Sequence, residues 1–168
     1  MNKKILKLFV YIIILGFVGW GIYAIATAPK IPESEIVSKN GLHRHAHVTI
    51  KVNGKDVEIP TNIGVTGTMG ANGEPMELHT HDTSGVVHAE FAGIVSKDQL
   101  HIGNFFKIWG QDFSKNSILG NKVDATHHIT MTVDGVPNTD FENYSITGKG
   151  NYDAGGLGKI DDIVISYQ

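Results

Sequence analysis

The chain opens on an apolar run without amphipathic period. Leu8 to Ala28, LFVYIIILGFVGWGIYAIATA, carries no charge, and Lys3, Lys4 and Lys7 stand just before it. These 21 positions would span about 31 Å as a helix, enough to cross a bilayer core. Trp20 and Tyr23 lie near the outer end, where aromatic interface anchors belong, and the leading lysines favour a cytoplasmic N-terminus. The small residues around Ala24 to Ala26 also resemble a signal cleavage site, yet the run exceeds the usual length of a signal peptide's apolar core. The expectation is a signal anchor over residues 1–28, single-pass in the cell membrane, with the rest of the chain outside the cytoplasm. Cleavage would make the same domain secreted.

Residues 29–41, PKIPESEIVSKNG, mix proline and charge without a period and read as a tether. From residue 42 the pattern alternates with period two. HAHVTIKVNGKDVEI sets an apolar residue at every second position and turns at Asn53-Gly54, and HHITMTVDGVPNTDF repeats the device at Asp134-Gly135. Such dipeptides favour the tight hairpin turns whose twist suits the adjoining strands. MELHTH and VVHAEF flank DTSG as a further hairpin, SILGNKV is a possible strand, and DDIVISYQ closes the chain as another. One helix interrupts them. Ser96 and Gln99 resemble a capping box ahead of QLHIGNFFKIWG, in which Phe105 and Trp109 stand one turn apart as core anchors. The pattern predicts a mainly β domain over 42–168, an antiparallel β-sandwich or open barrel with one short α-helix. HVTIKVNG and HITMTVDG match in residue class, as any half-buried hairpin arm before such a turn would.

Composition narrows the chemistry. There is no cysteine, which removes disulfides, thiolate metal sites and blue-copper centres. All seventeen acidic residues follow Ala28, whereas three of the fourteen basic ones precede it, so the outer part carries a net charge of −6 with histidines neutral. Nucleic acid is therefore a poor partner. GKGNYDAGGLGK has Ile160 where a phosphate loop needs Ser or Thr, and reads as a flexible loop. No nucleophile–base set follows from order and spacing, so no catalytic residue is assigned.

Six of the nine histidines fall in HRHAH and HTHDTSGVVH. On a strand, alternation puts His43, His45 and His47 on one face, His79 and His81 on one face, and His88 with Glu90. If DTSG closes a hairpin between positions 81 and 86, His79 lies directly opposite His88, with Cβ atoms about 4.5–5.5 Å apart. Two imidazoles at that separation can reach one ion, and an arm bearing His45 and His47 would complete four or five nitrogen ligands. The expected metal ligands are His45, His47, His79, His81 and His88. Three or four imidazoles with nearby carboxylates suit Zn²⁺, Cu²⁺ or Fe²⁺, copper being favoured wherever it is available, and copper or zinc is the expected ion. Asp82 and Glu90 are expected to orient the imidazoles. Met76 and Met69 offer thioethers that suit Cu(I), although loop methionines more often only pack. His101, His127 and His128 lack comparable partners in sequence and read as structural, with His128 able to join through the fold.

The chain resembles a group of uncharacterised secreted or membrane-anchored bacterial and archaeal proteins. Their shared pattern is an H-x-H strand, then LHTHD-x-SG-x-x-H-x-E, then FF-x-x-WG, present here as HRHAHVTIKVNG, LHTHDTSGVVHAE and NFFKIWG. The resemblance covers about residues 42 to 113 and implies a shared site built from these histidines, without naming an activity. Cupins also carry H-x-H on strands but fit poorly. Their glutamate follows the second histidine by four or five positions, whereas here Asp82 follows His81 at once and Glu90 comes nine positions on.

These features point to a membrane-anchored, extracytoplasmic metal-binding protein that takes copper or zinc, with envelope metal handling or an accessory role. One alternative is an enzyme activating water or oxygen at the same metal, with Asp82 or Glu90 moving protons. Another is an envelope interaction module whose histidine cluster is purely structural.

Overall fold

A computed structural model describes residues 3–28, 30–65 and 75–168. The chain divides into two units, Met1–Pro32 and Glu33–Gln168. In the first, helix α1 spans Lys3–Thr27, is long and apolar enough to cross a membrane, and buries none of its residues.

The second unit is mainly β. Its strands are β1 (Ile36–Ser38), β2 (Leu42–Val52), β3 (Lys55–Val57), β4 (Leu78–His79), β5 (Val86–Phe91), β6 (Val95–Ser96), β7 (Phe113–Ser114), β8 (Ser117–Ile118), β9 (Asn121–Lys122), β10 (Ile129–Val133), β11 (Val136–Pro137), β12 (Tyr152–Asp153) and β13 (Lys159–Tyr167), with one α-helix, α2 (Ile102–Trp109). The main sheet runs β11-β10-β13-β2-β5-β4, with β3 paired to β2 and β12 to β13. It is open rather than closed into a barrel. Among the described residues its pairings are antiparallel except β13 on β2.

Local turn chemistry sets the hairpins. Asn53 and Gly54 (φ 51° and 76°) join β2 to β3, and Asp134 and Gly135 (φ 53° and 80°) join β10 to β11. Both turns need the left-handed backbone that these residues tolerate best. SILGNKV forms two strands rather than one, because Leu119 and Gly120 (φ 50° and 78°) fold β8 back onto β9. The similar arms in β2 and β10 flank β13 on either side, where Ile163 stands between Val48 and Val133, and Ile165 between Ile50 and Met131.

One face of the sheet is the core. Ala46, Val48 and Ile50 from β2, Val87 and Ala89 from β5, and Ile163 and Ile165 from β13 are buried with Phe105 and Phe106 of α2. Ile102, Phe105, Phe106 and Trp109 follow the i, i+3, i+4, i+7 spacing of an amphipathic helix. Full burial of each phenylalanine contributes about 2–3 kcal/mol. Ahead of the helix, the Ser96 N–H donates to Gln99 Oε1 at 2.9 Å, the backward half of a capping box. A 3-10 turn, Asp98–Leu100, follows, so the α-helix begins only at Ile102 and ends where Gly110 turns left-handed (φ 75°).

The segment read as a tether, 29–41, is partly structured. Glu33–Glu35 form a 3-10 turn, and β1 pairs with β6. Val37 packs against the core, so the folded unit begins before residue 42. Most of the Gly-rich loop ahead of β4, including Met69, lies outside the described residues.

Candidate metal centre

Because the core face of β2 and β5 takes alternate residues, the intervening ones line the opposite face, and most of these near the sheet's edge are histidines. His45 pairs with His88 across β2 and β5, and His79 pairs with His88 across β5 and β4. Three adjacent strands thus carry one row of imidazoles, His45–His88–His79. His43 extends it along β2, and His81 lies just past β4. Two groups of three can each hold a metal ion: His43, His45 and His88, and His79, His81 and His88, each offering ligand atoms within 4.8 Å of one another. Tetrahedral zinc with bonds of about 2.0–2.1 Å places its nitrogens roughly 3.4 Å apart, so the rings would draw in by at most about 1.4 Å on binding.

Several contacts prepare the imidazoles for this. The His79 Nδ1–H donates to the Met76 carbonyl at 2.8 Å, which leaves the Nε2 lone pair for a ligand bond. His43 Nε2 lies 3.0 Å from Glu90 Oε1, the residue directly opposite it on β5. The same Glu90 oxygen is 3.8 Å from His88 Nδ1. His45 Nε2 and His88 Nδ1 are buried without a hydrogen-bond partner among the described residues. A buried polar atom left unpaired costs about 1–3 kcal/mol, and a metal ion would satisfy both.

The electrostatics agree. Burial, then the neighbouring His45, His81 and His79, push the His88 pKa down to about 4. Burial and His43 lower that of His45. His88 therefore stays neutral, the form that ligates, well into the acid range, and the His45 imidazole is shifted in the same direction.

The backbone around the hairpin explains the spacing of its motif. Thr80 is fully buried; its hydroxyl donates to the Pro60 carbonyl at 2.9 Å and accepts from the Ile63 N–H at 3.1 Å. This pins the residue between His79 and His81. Thr61 Oγ1 holds the His81 carbonyl at 2.6 Å. Gly64 passes so close that a Cβ there would lie 2.7 Å from the Leu78 carbonyl oxygen and 3.2 Å from the His79 Cβ. Asp82 accepts the Ser84 N–H at 2.8 Å, and these contacts with Ser84 hold its carboxyl below the usual range. Asp82 thus shapes the turn, while Glu90 orients the imidazoles. Gly85 (φ 80°) accepts the Val48 N–H at 2.9 Å, stitching the turn to β2. Thr80, Gly64 and Gly85 have no signature in an isolated reading of histidine spacing.

Of the expected ligands, His45, His79, His81 and His88 come together, and His43 joins them. His47 lies in neither group. Its Nδ1–H donates to Asp162 Oδ1 at 2.8 Å, and its ring stacks on Tyr152 with centroids 3.8 Å apart and planes 8° from parallel. Parallel pairing of β13 with β2 puts Asp162 beside His47, a contact that alternation along β2 does not reveal. Met76 contributes its carbonyl rather than its sulfur to the described contacts. His101 bridges to Ser145, His127 packs on Tyr167 with its Nδ1 beside Asp124, and His128 exchanges backbone hydrogen bonds with Gln168.

The fold and site define an open β-sheet domain, attached to an apolar N-terminal helix, with a histidine-lined face that can hold a metal ion. Comparison with protein-family models, with curated proteins and with solved structures finds no match.

Proposed function

We propose that this chain is a membrane-anchored, extracytoplasmic metal-binding protein that holds copper or zinc on its histidine face for envelope metal handling or an accessory role. The observation that carries the proposal is the pair of buried ring nitrogens on His45 and His88, without hydrogen-bond partners among the described residues, within a row of five imidazoles. Buried polar atoms are almost always hydrogen-bonded, and a bound ion is one way of satisfying such a pair. The absence of cysteine leaves imidazole as the ligand chemistry, which suits Cu²⁺ and Zn²⁺.

The test is the metal content of the full chain, purified in detergent without a histidine tag, stripped with chelator and then offered Cu²⁺ or Zn²⁺. Plasma mass spectrometry should find near-stoichiometric metal, lost in His88→Ala because both groups include His88. A wild-type chain that takes up neither metal would return the cluster to a structural role in an interaction module.

A second reading has one observation in its favour. Three histidines leave a fourth position open, as catalytic metal sites do. Under this reading the metal activates water or oxygen, and Glu90, beside His43, handles the proton. A spectral response of the bound metal to azide would support it.

A further inference from the structure

The two histidine groups overlap at a residue that cannot serve both at once. A neutral imidazole has one N–H and one lone pair, so His88 can ligate only one ion unless it loses a second proton. The rings follow one another closely. Centroids are 4.5 Å apart from His43 to His45, 4.5 Å from His45 to His88, and 4.6 Å from His88 to His81, with His79 5.3 Å from His88. Exposure rises towards both ends. The His43 side chain is 56% exposed and His81 is exposed, whereas the shared His88 side chain is 15% exposed and His79 is 1% exposed. Each group also has its own orienting acceptor, Glu90 for His43 and the Met76 carbonyl for His79.

Building on the metal-binding reading, we infer that the face carries two mutually exclusive stations for a single ion: His43–His45–His88 and His79–His81–His88. Each station reaches solvent through its own exposed histidine. An ion taken up at one end can therefore pass by ligand exchange through His88 to the other, without a change of oxidation state. That arrangement fits transfer of a divalent cation from a donor to an acceptor, rather than storage.

The two exposed histidines allow a test that leaves the core intact. The full chain in detergent, stripped of metal, is titrated with Cu²⁺; bound copper is counted and its paramagnetic resonance spectrum recorded for wild type, His43→Ala, His81→Ala and His88→Ala. Thermal melts of the metal-free proteins confirm that all four are folded. Wild type and the first two variants should each bind one copper per chain. The two variants should give different spectra, and a weighted sum of them should reproduce the wild-type spectrum. Two coppers per wild-type chain would overturn the inference in favour of independent sites. So would a wild-type spectrum identical to one variant's, with the other variant binding none. Either result leaves metal binding itself standing; a wild-type chain that binds no copper overturns the two-station inference, one that also takes up no Zn²⁺ overturns the metal-binding reading with it, and only metal lost in His88→Ala supports the shared ligand.

Discussion

Acid should weaken the metal-free domain through His88 in particular. Its imidazole is held near pKa 4 in the folded protein, against about 6.5 for an unperturbed histidine. Between those values the unfolded chain binds a proton that the folded chain refuses. Stability therefore rises with pH across this window, and it is lost as pH falls from about 6.5 towards 4. The slope approaches about 1.4 kcal/mol per pH unit, and the whole interval amounts to roughly 3 kcal/mol. That is a large share of the 5–15 kcal/mol typical of a domain. The assay is urea unfolding of chelator-treated protein at pH 7, 5.5 and 4.5, comparing wild type with His88→Gln. Groups away from the cluster contribute equally to both proteins, so the difference in slope belongs to His88. Wild type should lose roughly 2–3 kcal/mol more than the variant between pH 7 and 4.5. Parallel pH profiles would refute the idea that His88 is held neutral by burial and its neighbours.

Saturating Cu²⁺ or Zn²⁺ at a hundred times its Kd should stabilise the folded chain by about 2.7 kcal/mol. The Tm should rise by roughly 5–15 °C, a shift that chelator reverses and His88→Ala abolishes. Gly85→Ala forces a side chain into left-handed backbone with its Cβ 2.5 Å from the Val48 carbonyl oxygen, and should cost about 1–3 kcal/mol in chemical denaturation. Asp161, fully buried, accepts from the Tyr144 and Thr147 hydroxyls and from the backbone N–H groups of Thr147, Gly148 and Lys149. Asp161→Ala removes the acceptor these donors share and should cost about 3 kcal/mol, with hydrogen exchange rising first at residues 147–149. Phe105→Ala empties a fully buried site under the sheet and should cost about 3–5 kcal/mol, measured by the same unfolding assay.

Some of this protein is decided locally, and those parts are legible from sequence. The apolar helix follows from an uncharged run, and the Asn53-Gly54 and Asp134-Gly135 turns follow from residues that accept left-handed backbone. His79 faces His88 because the short DTSG connection, with Asp82 and Ser84 capping their own turn, leaves the hairpin one register. The rest depends on which distant strands meet. Antiparallel pairing of β2 with β5 brings His45 opposite His88 and His43 opposite Glu90, and no local signal sets that register; packing of the alternate face, Ala46, Val48, Val87 and Ala89, in the core with α2 does. Parallel pairing of β13 with β2 sends Asp162 to His47 and leaves that histidine out of both groups. Alternation along a strand tells which residues share a face. Only the packed sheet tells which of them share a neighbour, because side chains from separate strands meet through long-range burial rather than through spacing along the chain.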